Sequence, residues 1–346
     1  MIKPFKIMLG AAILLGAVAG AAQAAGKPLT AHEIATYQGA DRTERLIEGA
    51  KKEGELTVYH AYSQLVKLTA AFTKKYDIKV NVWRSGSENI LQRIGTEARA
   101  GKFTVDIVQN NAPENEALHR ERLLQPVASP YLKDLIPGAL PAHKDWVGIT
   151  LDVYSAAYNT AKVKPEELPK TYHDLLDPKW KGRLGIEAED QAWFATLLET
   201  LGEPQATKLF NDIVSNNGIS VRKGHSLLTS LVASGEVPLA LSVYSWNPSQ
   251  LMNKGAPIQG LLIQPVVAQF STIAMLKNAP RPNAAALFYD FALNEGQEIL
   301  AQMQFVPTSK KQPSPIGDIP LKMIDPGQAL DLQEKWVKLY MATTRR

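Results

Sequence analysis

The sequence predicts an α/β protein built as two lobes, and three observations carry that expectation. Short strand-like runs alternate with stretches of helical period, the pattern of parallel strands joined by crossover helices. The alternation breaks off after residue 109 and restarts at residue 183, so a single sheet does not account for it. Length agrees: a 24-residue leader aside, about 322 residues remain, enough for two domains of ~150 residues, and 45% apolar content fills two cores.

Taken in order, residues 31–53 read as one entry helix with Ile34, Tyr37, Leu46 and Ala50 on its apolar side. A strand at 55–60, a helix over about 64–76 and a strand at 78–83 make a βαβ unit. The turn Ser85-Gly86-Ser87 opens a helix with Ile90, Leu91, Ile94 and Ala98 on one face, Gly101 stops it, and 105–109 is the next strand. The second series has strands at 183–187, 219–222 and 237–244, with helices over about 191–201 and 226–233.

Two stretches, 146–158 and 264–276, read as long strands passing between lobes. A chain that builds one lobe, then the other, and returns needs at least two crossings, and hinges near 150–154 and 264–268 would permit closure. The expected division is a leader over 1–24, one lobe from 25–150 plus about 267–315, a second from 151–266, and a helical C-terminal segment over about 316–346 packing on both.

Lys3 and Lys6, an apolar run over 7–22 and the small-residue site Ala22-Gln23-Ala24 read as a cleavable secretory signal, so the mature chain is expected to begin near Ala25 in the periplasm. The chain has no cysteine, which removes both a disulfide framework and a lipidated N-terminal Cys. Without Lys3 and Lys6 the formal charge of +4 falls to +2, and no basic tract offers itself to nucleic acid. No second apolar run approaches a membrane span, and a soluble monomer is expected.

Enzyme signatures are missing. The six histidines show neither i, i+4 pairing nor H-E-x-x-H, no G-x-S-x-G, Walker or G-x-G-x-x-G motif follows a predicted strand, and there is no thiol. Neither catalysis nor a cofactor is expected.

The stretch Leu176-Asp-Pro-Lys-Trp-Lys-Gly-Arg-Leu184, with Tyr158-Asn159-Thr160 before it and Ser234-Gly-Glu-Val-Pro-Leu-Ala-Leu241 and Val306-Pro307-Thr308 after it, resembles the iron(III)-type extracellular solute-binding proteins of ABC importers. The resemblance covers nearly all of the mature chain and is most specific at 177–183. It implies a hinged periplasmic-binding-protein fold, type II-like, that holds a small solute between its lobes. Delivery would be to an inner-membrane permease powered by a cytoplasmic ATPase.

In open α/β sheets ligands sit beyond the carboxyl ends of strands. That rule selects Tyr62 and Ser63 after the first strand; Ser85, Gly86 and Ser87 after the second; and Asn110 and Asn111 after the third. In the second lobe it selects Glu187, Asp190 and Gln191, then His225 and Ser226, then Tyr244 and Trp246. Ser85 to Ser87 at a helix start suit an anion or a plain helix cap. Glu187, Glu189 and Asp190 suit an ammonium, or Asp190 caps the following helix. Tyr244 and Trp246 offer stacking faces or core packing.

The resemblance implies adjacent tyrosines after strand 237–243 and a carboxylate from the first lobe in ferric members. Here Tyr244 is followed by Ser245 and Trp246, and Asn111 stands at the carboxylate position. Hard Fe(III) prefers anionic oxygens, so the expectation is a small polar organic solute and no metal. The alternatives are a ferric ion or ferric chelate with Tyr62, Tyr244 and Glu189 as donors, and a periplasmic sensor subunit with the same fold.

Overall fold

A computed structural model describes Met1, residues 29–62 and residues 65–344. Residues 2–24 of the expected leader and Ser63 lie outside the described residues. Chain order begins with helices α1 (Ala31–Thr36) and α2 (Arg42–Glu53), then strand β1 (Glu55–His60), α3 (Leu65–Tyr76), β2 (Lys79–Arg84), α4 (Ser87–Arg99), β3 (Ile107–Asn111), α5 (Ala112–Arg120) and the short β4 (Leu124–Gln125). The long β5 (Val147–Asn159) leads to β6 (Leu184–Glu187), α6 (Gln191–Leu201), α7 (Glu203–Asn217), β7 (Ser220–Arg222), α8 (His225–Ser234), β8 (Leu239–Tyr244), α9 (Trp246–Met252) and β9 (Ile258–Leu261). The return runs through β10 (Val266–Leu276), α10 (Pro282–Leu293), α11 (Glu295–Gln302), β11 (Val306–Pro307), β12 (Leu321–Met323), α12 (Pro326–Asp331) and α13 (Gln333–Thr344).

The strands hydrogen-bond in the order β2-β1-β3-β10-β5-β8-β6-β7. At one end β1 pairs in parallel with β2 and β3, and at the other β6 pairs in parallel with β7 and β8. The long strands between them run antiparallel to their neighbours in this order, and β10 also takes the short β12 in parallel, so the parallel part of each lobe is joined to the other through a mixed centre.

β5 belongs to both lobes. Its residues 147–153 pair with β10, while 154–158 pair with β8. All 13 of its residues are buried, which is why it reads as a long run without clean alternation. Polar residues buried in such a strand, Asp152 above all, need partners, and those partners define the site.

The single entry helix expected over 31–53 is two helices. α1 ends at Thr36, and the buried Arg42 that opens α2 turns its guanidinium back: Nη1 donates to the carbonyls of Ala35 (3.2 Å) and Tyr37 (2.5 Å), and Nε to Asp290 Oδ2 (2.9 Å). The break gives the last carbonyls of α1 a donor that a continuous helix would have withheld. α5, α7, α9, α10 and α11 were not expected from the sequence, and the 316–346 segment carries the strand β12 before its two helices.

That segment bridges the two ends of the molecule. Arg120 Nη1 on α5 donates to Asp331 Oδ1 of α12 at 2.5 Å, while Trp336 and Tyr340 of α13 bury themselves against α6 and α7. The Tyr340 hydroxyl donates to the carbonyl of Glu187, the last residue of β6.

Candidate functional site

The polar residues of β5 and β10 meet the ends of β1, β6 and β8 in one buried cluster. Asp152 and Tyr154 lie two apart on β5 and so face the same side. Across the ladder Asp152 pairs with Gln269 and Tyr154 with Tyr244. Gln269 Nε2 donates to both phenol oxygens, at 3.1 Å to Tyr154 and 3.0 Å to Tyr244, and the two rings stand 5.1 Å apart.

Asp152 is bound from both lobes. Tyr62, just past β1, donates its hydroxyl to Oδ2, and Trp246 at the start of α9 donates Nε1–H to Oδ1 at 3.2 Å. Both donors are neutral, and burial pushes the Asp152 carboxyl up to about 7 against the pull of Trp246 and His225. Phe305 closes the aromatic wall: it stacks on Tyr62 at 5.6 Å and lies 4.7 Å from Trp246.

On the other side of the tyrosines, Glu187, Asp190 and His225 bring one donor atom each within 4.8 Å of one another. His225 Nε2 is 3.0 Å from Asp190 Oδ1. Burial alone would lower the imidazole pKa, but the Asp190 carboxylate and, beyond it, Glu187 and Asp152 raise it to about 9. Glu187 accepts from the Gly224 N–H at 2.8 Å and from the Glu189 N–H, and burial followed by the Asp190 charge holds its carboxyl above the usual range. The same burial pushes Tyr154 and Tyr244 well above 10.

The charge balance is the main property of the cluster. Three buried carboxyls, Asp152, Glu187 and Asp190, have one basic partner, His225, and among the described residues none of the three forms an ion pair with Lys or Arg. Asp190 Oδ2 is buried without a hydrogen-bond partner. A buried, unpaired carboxylate oxygen is costly in free energy unless a cation or donor reaches it.

The structure brings together Tyr62, Glu187, Asp190, His225, Tyr244 and Trp246. Asp190 stands at the N-cap position of α6 but makes no side-chain cap, because its carboxylate is turned to His225. Glu189 is exposed and pairs with Lys223 at 2.6 Å, Gln191 is only half-buried, and Ser226 is exposed.

Ser85, Gly86, Ser87, Asn110 and Asn111 form a separate network on the first lobe. Ser85 Oγ accepts from Asn89 Nδ2 at 3.1 Å, Ser87 Oγ accepts from Asn111 Nδ2 at 3.1 Å, and Asn110 Nδ2 donates to the Ser87 carbonyl at 3.0 Å. Gly86, not Ser87, is the N-cap of α4. On the neighbouring α5, burial, with lesser contributions from Glu88 and Glu189, raises the Glu114 carboxyl to about 7.

Sequence reasoning missed Asp152, Tyr154, Gln269 and Phe305. The first three had a usable signal: polar side chains two apart, or isolated, inside long apolar strands that must be buried on both faces. Phe305 had none.

A two-lobed chain with a polar cluster sealed where the lobes meet is, by class, a binding protein. Residues 67–316 match the bacterial extracellular solute-binding proteins, and the chain belongs to that family. Iron uptake protein A1 of Synechocystis sp. is 29% identical over 279 residues, 74% of this chain and 76% of the relative. Two solved structures share the fold: iron-bound HitA of Pseudomonas aeruginosa, with TM-score 0.71 and 23% identity over 84% of this chain and 99% of that one, and the periplasmic binding protein AfuA of Actinobacillus pleuropneumoniae with fructose-6-phosphate bound, with TM-score 0.72 and 22% identity over 85% and 99%.

Proposed function

We propose that this chain is the periplasmic solute receptor of an ABC importer, monomeric and without catalytic activity, and that it closes on a cation, with Fe(III) the cargo its donors suit best. The lobes meet across β5 and the segment entering β10, and closure brings Tyr62 of one onto Trp246 of the other. The observation that carries the cation is the excess of buried carboxylate around Asp190 Oδ2. The expectation against iron rested on Tyr244 being followed by Ser245 and Trp246 and on Asn111 at the carboxylate position; Tyr154 adds a second phenol beside Tyr244, and Glu187, Asp190 and His225 supply carboxylates and an imidazole from the second lobe. Phenols held so far above 10 ionise only for a strongly Lewis-acidic cation, which selects a trivalent hard ion over Mg(II) or Ca(II). Relatives named iron uptake protein A1 and Fe(3+)-binding periplasmic protein support the same reading.

Titration of the purified mature protein with ferric citrate tests it. A visible tyrosinate-to-iron charge-transfer band should appear at one equivalent and be lost in Tyr244→Phe and weakened in Tyr154→Phe. Absence of any band would overturn iron as cargo. The second reading, an organic cation, is favoured by the Tyr62, Trp246 and Phe305 wall, which supplies stacking faces beside Asp152 and no metal donor but the Tyr62 phenol. A thermal-shift screen of amines against the ferric arm separates the two.

A further inference from the structure

We propose that Glu116, His119 and His143, partly buried on the first lobe, form a second metal site for a borderline divalent cation such as Zn(II). Glu116 and His119 are three residues apart on α5 and therefore share a face, and His143 reaches them from the segment entering β5. One donor atom of each lies within 4.8 Å of the other two. The absence of an i, i+4 histidine pair or H-E-x-x-H does not bear on this geometry, because carboxylate and histidine at i, i+3 converge equally well from one helix. Two imidazoles and one carboxylate, with a water completing a tetrahedron, are a Zn(II)-type donor set.

The surroundings of these three residues are those of oriented ligands. Asp145 Oδ2 is 2.6 Å from His119 Nδ1, which fixes the proton there and leaves the Nε2 lone pair for a metal. Trp146 Nε1–H donates to Glu116 Oε2 at 3.1 Å, and Arg120 Nε lies 3.6 Å from Oε1, so the carboxylate is held from two sides. The His119 and His143 rings stack with centroids 3.6 Å apart, 14° from parallel.

His143 Nε2–H donates to Glu116 Oε2 at 3.1 Å, while its Nδ1 accepts from the Asp145 N–H, also at 3.1 Å. A metal takes the place of the Nε2 proton. His143 then carries its proton on Nδ1, the Asp145 N–H is released, and the ring tilts off His119 so that the two lone pairs converge. No net proton is gained or lost by His143. The loaded site would clip α5 to the start of the crossing strand, and it does not depend on what the interlobe cluster binds.

The test uses the mature protein with Zn(II) followed by calorimetry and Co(II) followed by visible absorbance. One equivalent should bind, with the intense d–d absorbance of a tetrahedral Co(II) site. His119→Ala and His143→Ala should each remove that absorbance, Glu116→Gln should weaken binding at least ~10-fold, and Asp145→Asn, which alters the side-chain contact to His119 and leaves the Asp145 N–H to His143 in place, should weaken it ~10–100-fold. His32→Ala and His225→Ala should keep the signal, which separates this site from a surface histidine and from the solute cluster. Binding that survives the His119→Ala/His143→Ala double variant, or no equimolar binding by wild type, overturns the proposal. Metal-free melting curves identify any variant that fails to fold, and Asp145→Asn then decides.

Discussion

The His225 imidazole lies flat on the Tyr244 ring, with centroids 4.0 Å apart and planes within 16° of parallel. The stack holds a cationic ring against a phenol face while its edge meets Asp190, so one side chain serves the charge balance and the packing of the cluster together.

Ligand-free stability should fall as pH rises because of this pair. His225 titrates at about 9 in the folded chain against 6.5 for a free imidazole, so between those values the native state keeps a proton that the unfolded chain has lost. The stabilisation is complete below pH 6.5 and gone once pH passes about 9. Melting temperatures measured from about pH 7 to about 9.5 should decline, and His225→Gln should flatten that decline. A flat wild-type profile would mean the imidazole is neutral in the fold.

Cation binding should show the opposite trend. Asp152 at about 7 and His225 at about 9 hold protons that a bound cation must displace or repel, so affinity for the cargo should rise with pH across this range while ligand-free stability falls. Asp190→Asn removes the unpartnered oxygen and one negative charge, and should weaken cation binding at least ~10-fold. Affinity that is independent of pH would exclude the carboxyl–imidazole cluster as the binding locus.

Much of this fold was legible because its signals are local. α6 was read at its observed bounds from its apolar spacing, and the strands and helices that period and turn residues placed between 55 and 111 and between 184 and 244 appear to within two residues or so, while α5, α7 and α9 carried no such signal. The entry helix was misread because its break depends on Arg42 finding Asp290, 248 residues away. The site divides in the same manner. Residues just past strand ends, such as Tyr62, Asp190, His225 and Tyr244, follow from a topological rule. Asp152, Tyr154 and Gln269 lie within strands, and only the register of β5 against β8 and β10 brings them together. Register between strands about a hundred residues apart leaves no local trace.

The stretch 177–183, the most specific piece of family resemblance, is structural in this chain. Trp180 is fully buried and its indole N–H donates to the Asp174 carbonyl at 3.0 Å, while Asp177 caps the turn through Lys179 N–H at 2.9 Å. Gly182 holds φ at 70°, where a side chain is strained. Trp180→Ala should cost ~3–5 kcal/mol in urea denaturation and Gly182→Ala ~1–2 kcal/mol, with cargo affinity per folded molecule unchanged. A direct loss of affinity in a folded Gly182→Ala protein would return this turn to the binding site.

Lobe closure should depend on Trp246. Its indole donates to Asp152 on the part of β5 that pairs with β10, yet Trp246 itself opens α9 beyond β8, so this hydrogen bond and the ring contacts to Tyr62 (5.8 Å) and Phe305 (4.7 Å) tie one lobe to the other. Gln250 Nε2, one turn further along α9, adds a bond to the Met303 carbonyl at 2.8 Å. A ligand binds through whichever fraction of the protein is competent, and removing contacts that tie the lobes together lowers that fraction. Trp246→Ala should therefore expand the radius of gyration measured by small-angle scattering and weaken cargo binding by ~1–3 kcal/mol. Asp152→Asn keeps a carbonyl to accept from the indole while removing the charge, so it should weaken cation binding with little change in radius. If Trp246→Ala binds cargo normally and stays as compact as wild type, the tryptophan is packing alone, and closure must rest on the tyrosine–carboxylate side of the cluster.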